Sequence, residues 1–302
     1  MPVLCSTIWR ARAVACRPVP WTTLLVAILV GCGAPEHPLR SRSVVDQYGL
    51  QEAPRFEPLA MRAIGNVNVV LSALPDTTVR LRPGWQNDED RVTDSTIPVY
   101  AVSDEGLGRF EVAFVVEGCA AVIIQGPAFD AWLGAIQDSD SLTADRDATL
   151  AFLLLHETGH LTNHDCEGAG ALGGGMVYTK DASGTKRREI DADSFAARAL
   201  RASSQQWRDG LNAALSIEMA VSTLSFLVSG NRITTHLGAS LLPTREVFWD
   251  FGFSHPNLEW RLLSVNYQLD PTPVARRLLD DFEAHRDEAN GVILDLRRPA
   301  SR

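Results

Sequence analysis

The chain has 302 residues, 45% of them hydrophobic and 22% charged, and carries a formal net charge of −9. That length suffices for one large core, and the acidic balance excludes nucleic acid as a natural partner, since phosphate binding needs clustered Lys and Arg.

At the amino terminus, Arg10, Arg12 and Arg17 precede Trp21-Thr-Thr-Leu-Leu-Val-Ala-Ile-Leu-Val30. This apolar stretch is too short to span a bilayer and has the form of a signal h-region. It ends Leu29-Val30-Gly31-Cys32. Small residues before a Cys resemble a bacterial lipobox, which implies a signal peptide over 1–31 and a mature lipoprotein acylated on Cys32. The simpler alternatives are a secretory signal with an incidental Cys, or a short buried helix. Residues from Gly33 to Pro58, with Pro35, Pro38, Pro54 and Pro58 among charges and Ser, read as a tether. The expected organisation is therefore 1–31 signal, 32–58 lipidated Cys and tether, and 59–302 folded body. Removing the leader, which holds three Arg, leaves 271 residues at −12. No Asp follows Cys32, which by the same resemblance points to outer-membrane sorting, with the body facing the periplasm.

Thr77-Thr-Val-Arg-Leu-Arg82 alternates like a strand, and Trp85 to Asp94 reads as an acidic turn region. Ala120-Ala-Val-Ile-Ile124 is a continuous apolar run, either a sheet edge able to take up an extended peptide or an ordinary buried strand.

The apolar run Leu150 to Leu155 leads into His156-Glu157-Thr158-Gly159-His160. At helical pitch the two His project from one face, one turn apart, and can grip one metal ion. Glu157 then points at the open side of that ion, where it can take a proton from a water without itself ligating. Catalytic zinc takes three protein ligands and keeps a fourth position free, so a further ligand should follow. Arg187-Arg-Glu189-Ile-Asp-Ala-Asp193 lies on a second helical pattern, with Glu189 and Asp193 four apart on one face. Glu189 is the expected third ligand and Asp193 the acceptor of a hydrogen bond from a ligand His. A solvated acidic helix start is the alternative for this pair. His164 falls four residues after His160, but an eight-residue span of helix rises roughly 12 Å, too far for one ion. Asp165 and Glu167 read more simply as polar residues of the loop leaving the helix.

Further along, Leu211 to Val228 is the most apolar stretch of the mature protein. It is interrupted by Asn212, Glu218, Ser and Thr, and is expected to be a core helix behind the metal site rather than a membrane span. Ser254-His255-Pro256 has the form of a helix entry, Ser254 capping and Pro256 in the first turn. Pro273 to Glu288 reads as an amphipathic outer helix.

The order HETGH, then EIDADSFA, then Ser254-His255-Pro256-Asn-Leu-Glu259-Trp-Arg261 resembles the gluzincin metallopeptidases that include HtpX-like heat-shock proteases and CAAX prenyl proteases. The resemblance spans about residues 95 to 265 and takes in Pro98 to Val102 and Cys119 to Gln125 as strands before the active-site helix. It implies an α+β, zincin-like fold, mainly helical with a small sheet beside that helix. It also implies one Zn2+ on His156, His160 and Glu189, Glu157 as general base, Asp193 behind a ligand, and His255 with Arg261 near the cleft. His255 or Arg261 is the candidate donor to the oxyanion. The 28 residues between His160 and Glu189 hold a Gly-rich loop where membrane-embedded relatives place a hydrophobic hairpin. In this the chain resembles the soluble branch. The activity implied is an endopeptidase of the bacterial cell envelope acting on unfolded or flexible protein segments. The alternative is a non-proteolytic zinc-holding lipoprotein serving as assembly factor or chaperone. In an oxidising compartment Cys119 and Cys166 permit one bridge, or stand as two buried thiols.

Overall fold

The computed structural model describes residues 49–85, 95–103, 112–115, 119, 121–137, 143–165, 182–206, 208–236 and 258–284, all within the unit Leu39–Arg302. Helix α1 (Glu57–Leu71) carries Pro58 in its first turn, where a missing N–H costs nothing. Its buried face is Leu59, Ala60, Ala63, Ile64, Val67, Val70 and Leu71. Asn68 on that helix clamps strand β1 (Arg80–Pro83): its amide donates to the Leu81 carbonyl at 2.7 Å and its carbonyl accepts from the Leu81 N–H at 2.8 Å.

Strands β2 (Thr96–Val102), β3 (Ala113–Val115) and β4 (Val122–Gln125) complete a sheet of order β1-β2-β4-β3. β1, β2 and β4 run parallel, and β3 is antiparallel to β4. All four residues of β4 are buried, as expected for a parallel strand covered on both faces. The described part of the apolar run, from Ala121, thus enters an inner strand, Val122–Gln125. The edge-strand expectation for it fails, because a run without alternation marks a strand covered on both sides. Among the described residues the sheet edges belong to β1 and β3. Leu50, Ala53 and Phe56 are buried, and Ala53 N–H bonds Ala101 O at 2.9 Å while Ser103 N–H bonds Gln51 O at 2.8 Å. The packed chain thus already includes the end of the stretch read as a tether.

β4 passes directly into helix α2 (Gly126–Gln137). Helix α3 (Arg146–Thr162) follows, started by Asp145, whose carboxylate accepts from the Ala148 N–H at 2.8 Å. Helices α4 (Ala182–Ser204), α5 (Asp209–His236), α6 (Leu258–Leu269) and α7 (Pro273–Ala284) complete the described elements. The protein is mostly helical with a small sheet, an α+β architecture. α5 buries Ala213, Ala214, Ile217, Ala220, Val221, Leu224 and Leu227 and packs on α1, α3, α4 and α6. By length and composition alone, Asp209–Leu227 would also suffice to cross a membrane, yet half of it is buried inside the protein.

The closest helix crossing joins α3 to α4. A Cβ added to Gly159 would stand 2.7 Å from the Ala192 Cα and 2.9 Å from its carbonyl oxygen, both backbone atoms that cannot swing away. Glycine facing alanine lets the two backbones meet beside His160 and Asp193. Gly159→Ala is expected to cost about 1–3 kcal/mol through overpacking, measured by urea unfolding. Gly65→Ala in the exposed middle of α1, where an added Cβ meets nothing within 4 Å, is expected to stabilise by about 0.5–1 kcal/mol. Equal effects at the two positions would contradict the close crossing.

Candidate metal centre

The α3 rings of His156 and His160 meet edge to face, with centroids 4.7 Å apart and planes at 89°. Their Nε2 atoms are 3.1 Å apart. Glu189 on α4 enters between them, Oε2 lying 3.2 Å from Nε2 of His156 and Oε1 3.4 Å from Nε2 of His160. Ligand atoms about 2.0–2.2 Å from a tetrahedral ion stand roughly 3.3–3.6 Å from one another. The two Nε2 atoms stand 3.1 Å apart and each has a different Glu189 oxygen at 3.2 or 3.4 Å, separations near that range, and the three residues form a group that can hold a metal ion.

The hydrogen bonds behind the rings fix which nitrogen faces the centre. Nδ1 of His156 lies 2.9 Å from Asp193 Oδ1, and Nδ1 of His160 lies 3.0 Å from Asp165 Oδ2. An ionised carboxylate only accepts, so each Nδ1 carries a proton and donates. In the neutral ring Nε2 is then a bare lone pair. Two lone pairs and a carboxylate converging in a buried place repel one another until a cation joins them. A proton serves that purpose when no ion does. Burial holds the His160 pKa down, but the Asp165 and Glu189 carboxylates outweigh it and lift the pKa to about 10. At His156 burial and the Arg261 charge pull down, while Asp193 and Glu189 prevail and raise it.

Glu157 is buried at 7% exposure beside the pair. Burial pushes its carboxyl above the ordinary carboxylate range, against the pull of His156, His160 and Arg261. On α6, Trp260 and Leu263 pack with Leu279 of α7 and Ile190 of α4, and this anchoring carries Arg261 to the metal centre. Arg261 grips Asp193 through Nε at 2.8 Å and Nη2 at 2.9 Å. Its Nη1 lies 3.4 Å from Glu189 Oε2, and Nη2 stands 3.2 and 3.3 Å from the two ring nitrogens of His156, so it rests against the imidazole. Although buried, Asp193 is held well below the usual carboxylate range by Arg261 and His156. Glu157, Glu189 and Asp193 are all buried, and the Arg261 charge acts on each of them.

The structure thus brings together His156, Glu157, His160, Glu189, Asp193 and Arg261. His255, Cys32 and Cys166 lie outside the described residues. Cys119 is disulfide-bonded. Arg261, one of two candidate oxyanion donors, is committed to Asp193 and the ligand side chains. Asp165 lies in the turn leaving α3, as expected of a polar loop residue, and there it also holds the His160 ring. The signal available for it was a carboxylate five residues after His160, just past the helix end. Compared with protein-family models, curated proteins and solved structures, the chain matches none.

Both imidazole pKa values are raised, that of His160 to about 10, so near neutral pH the metal-free His160 ring holds a proton that an ion must displace. Apparent affinity for Co2+, read from its visible absorption, is expected to rise with pH between about pH 6 and 9, with proton release visible as buffer-dependent binding heat. A flat profile without proton release would rule out the two rings as ligands.

Proposed function

We propose that the protein is a zinc-dependent endopeptidase of the bacterial cell envelope with a zincin-like fold, its metal on His156, His160 and Glu189. The observation that carries this reading is a buried Glu157 next to three converging ligand atoms. A site that merely holds a metal for structure has no use for a base at that position. When bound, zinc lowers the pKa of a coordinated water toward about 7 and polarises a peptide carbonyl. Glu157 would take a proton from the attacking water and pass it to the amine as the C–N bond breaks. Its burial raises the basicity of the carboxylate. Asp193, fixed by Arg261, holds the His156 ring in the ligating tautomer.

An extended substrate has a natural partner in β3, which lies at the sheet edge among the described residues and packs against α3. Pairing there uses backbone N–H and C=O groups and little side-chain identity. It suits unfolded or flexible protein segments, the substrates expected of a quality-control protease. The leader and the Leu29-Val30-Gly31-Cys32 sequence support anchoring by an acyl chain on Cys32, with the body on the periplasmic side of the outer membrane.

Glu157→Gln is expected to keep one zinc per chain while cleavage of casein falls by about 10²–10⁴-fold. Equal cleavage by both proteins would remove Glu157 from the chemistry. Two inert proteins that both hold zinc would favour the non-proteolytic assembly-factor alternative. Cys32→Ser is expected to move the chain from the membrane to the soluble fraction, and unchanged sedimentation with membranes would refute the anchor.

A further inference from the structure

We infer that Asp165 is the positioning residue of His160 and that the turn leaving α3 is built to present it, an inference that rests on the metal-site reading above. α3 stops through two return bonds: the His164 N–H to the Leu161 carbonyl at 3.4 Å and the Asp165 N–H to the His160 carbonyl at 3.0 Å. Between them His164 takes a left-handed backbone, φ 58°. That is the helix-stop turn whose left-handed position glycine ordinarily fills.

The turn has a chemical result. Asp165 bonds His160 twice, through its backbone N–H to the carbonyl and through Oδ2 to Nδ1 at 3.0 Å. The first bond fixes where the Asp165 backbone sits, so the turn itself aims the carboxylate at the ring. The contact is largely sheltered, with the two side chains 16% and 11% exposed. His156 receives the equivalent bond from Asp193, which Arg261 braces from α6. Each ligand imidazole therefore has its own carboxylate, one held by a distant arginine and the other by the terminal turn of the ligand helix itself. Partners of this kind fix ring orientation and tautomer and raise the basicity of the ligating nitrogen.

The test uses the full-length chain and four proteins: wild type, Asp165→Ala, Asp165→Asn and His164→Gly. Zinc dissociation constants are measured by competition with a chromophoric chelator, and His160 ring protonation by ¹⁵N NMR of the zinc-loaded protein. Wild type is expected to bind with a protonated His160 Nδ1. Asp165→Ala should weaken binding about 10–100-fold and alter the His160 ring-nitrogen signals, and Asp165→Asn, which keeps an acceptor oxygen, should recover most of the loss. His164→Gly, which preserves the left-handed turn, should bind as wild type does. Asp165→Ala and Asp165→Asn with wild-type affinity and an unchanged ring signal overturn the inference and leave the metal site standing. A loss of affinity matched by loss of the metal-free fold in Asp165→Ala, with Asp165→Asn binding normally and its ring signal unchanged, also overturns it. Wild type that binds no zinc removes the metal site and this inference with it.

Discussion

The crossing of α3 over α4 at Gly159 and Ala192 is the constraint on which the rest of the site depends. Ligands on two helices converge only when the backbones approach closely, and any side chain at Gly159 would collide with Ala192 main-chain atoms. Gly159 directly precedes His160, and Ala192 directly precedes Asp193. The contact that sets the crossing distance is thus one residue from the groups whose distances matter chemically, and little error accumulates between packing and ligation.

Around that crossing, one buried cation, Arg261, serves several buried carboxylates. Arg261 answers Asp193 with two donors and lies beside Glu189 and His156. A buried guanidinium of this kind is costly to desolvate. It is retained where geometry needs it, since a bidentate fork fixes the plane of a carboxylate in a way a lysine cannot. What Arg261 leaves uncompensated is concentrated at the two Nε2 atoms and the Glu189 carboxylate, the place where a cation gains most.

Much of this was legible in the sequence because helical periodicity is a local rule. His156 and His160 four apart, and Glu189 and Asp193 four apart, announce two polar faces inside otherwise apolar or strongly helical segments. Their meeting is shown by the structure at 3.1 to 3.4 Å. Other features were not legible. The unbroken apolar run ending at Ile124 signals burial, but it does not say which strands will pair with it, and the short edge strand at 113–115 carries no alternation long enough to be read. Asp165 was hidden because a left-handed histidine at the helix stop does not look like a turn, so the direction of the following side chain was unreadable. The burial of Leu50, Ala53 and Phe56 was masked by the prolines nearby, which suggest a linker whatever packs beside them.

The group that could hold a metal ion draws on chain positions 156, 160 and 189, and its bracing on 165, 193 and 261. None of these contacts exists in an extended polypeptide, and ion binding of this type is coupled to folding. A nascent chain threading through a membrane would therefore carry no assembled centre. If the chain is exported as proposed, its proposed hydrolytic capacity would arise only after folding on the far side, which would spare the compartment where it is made.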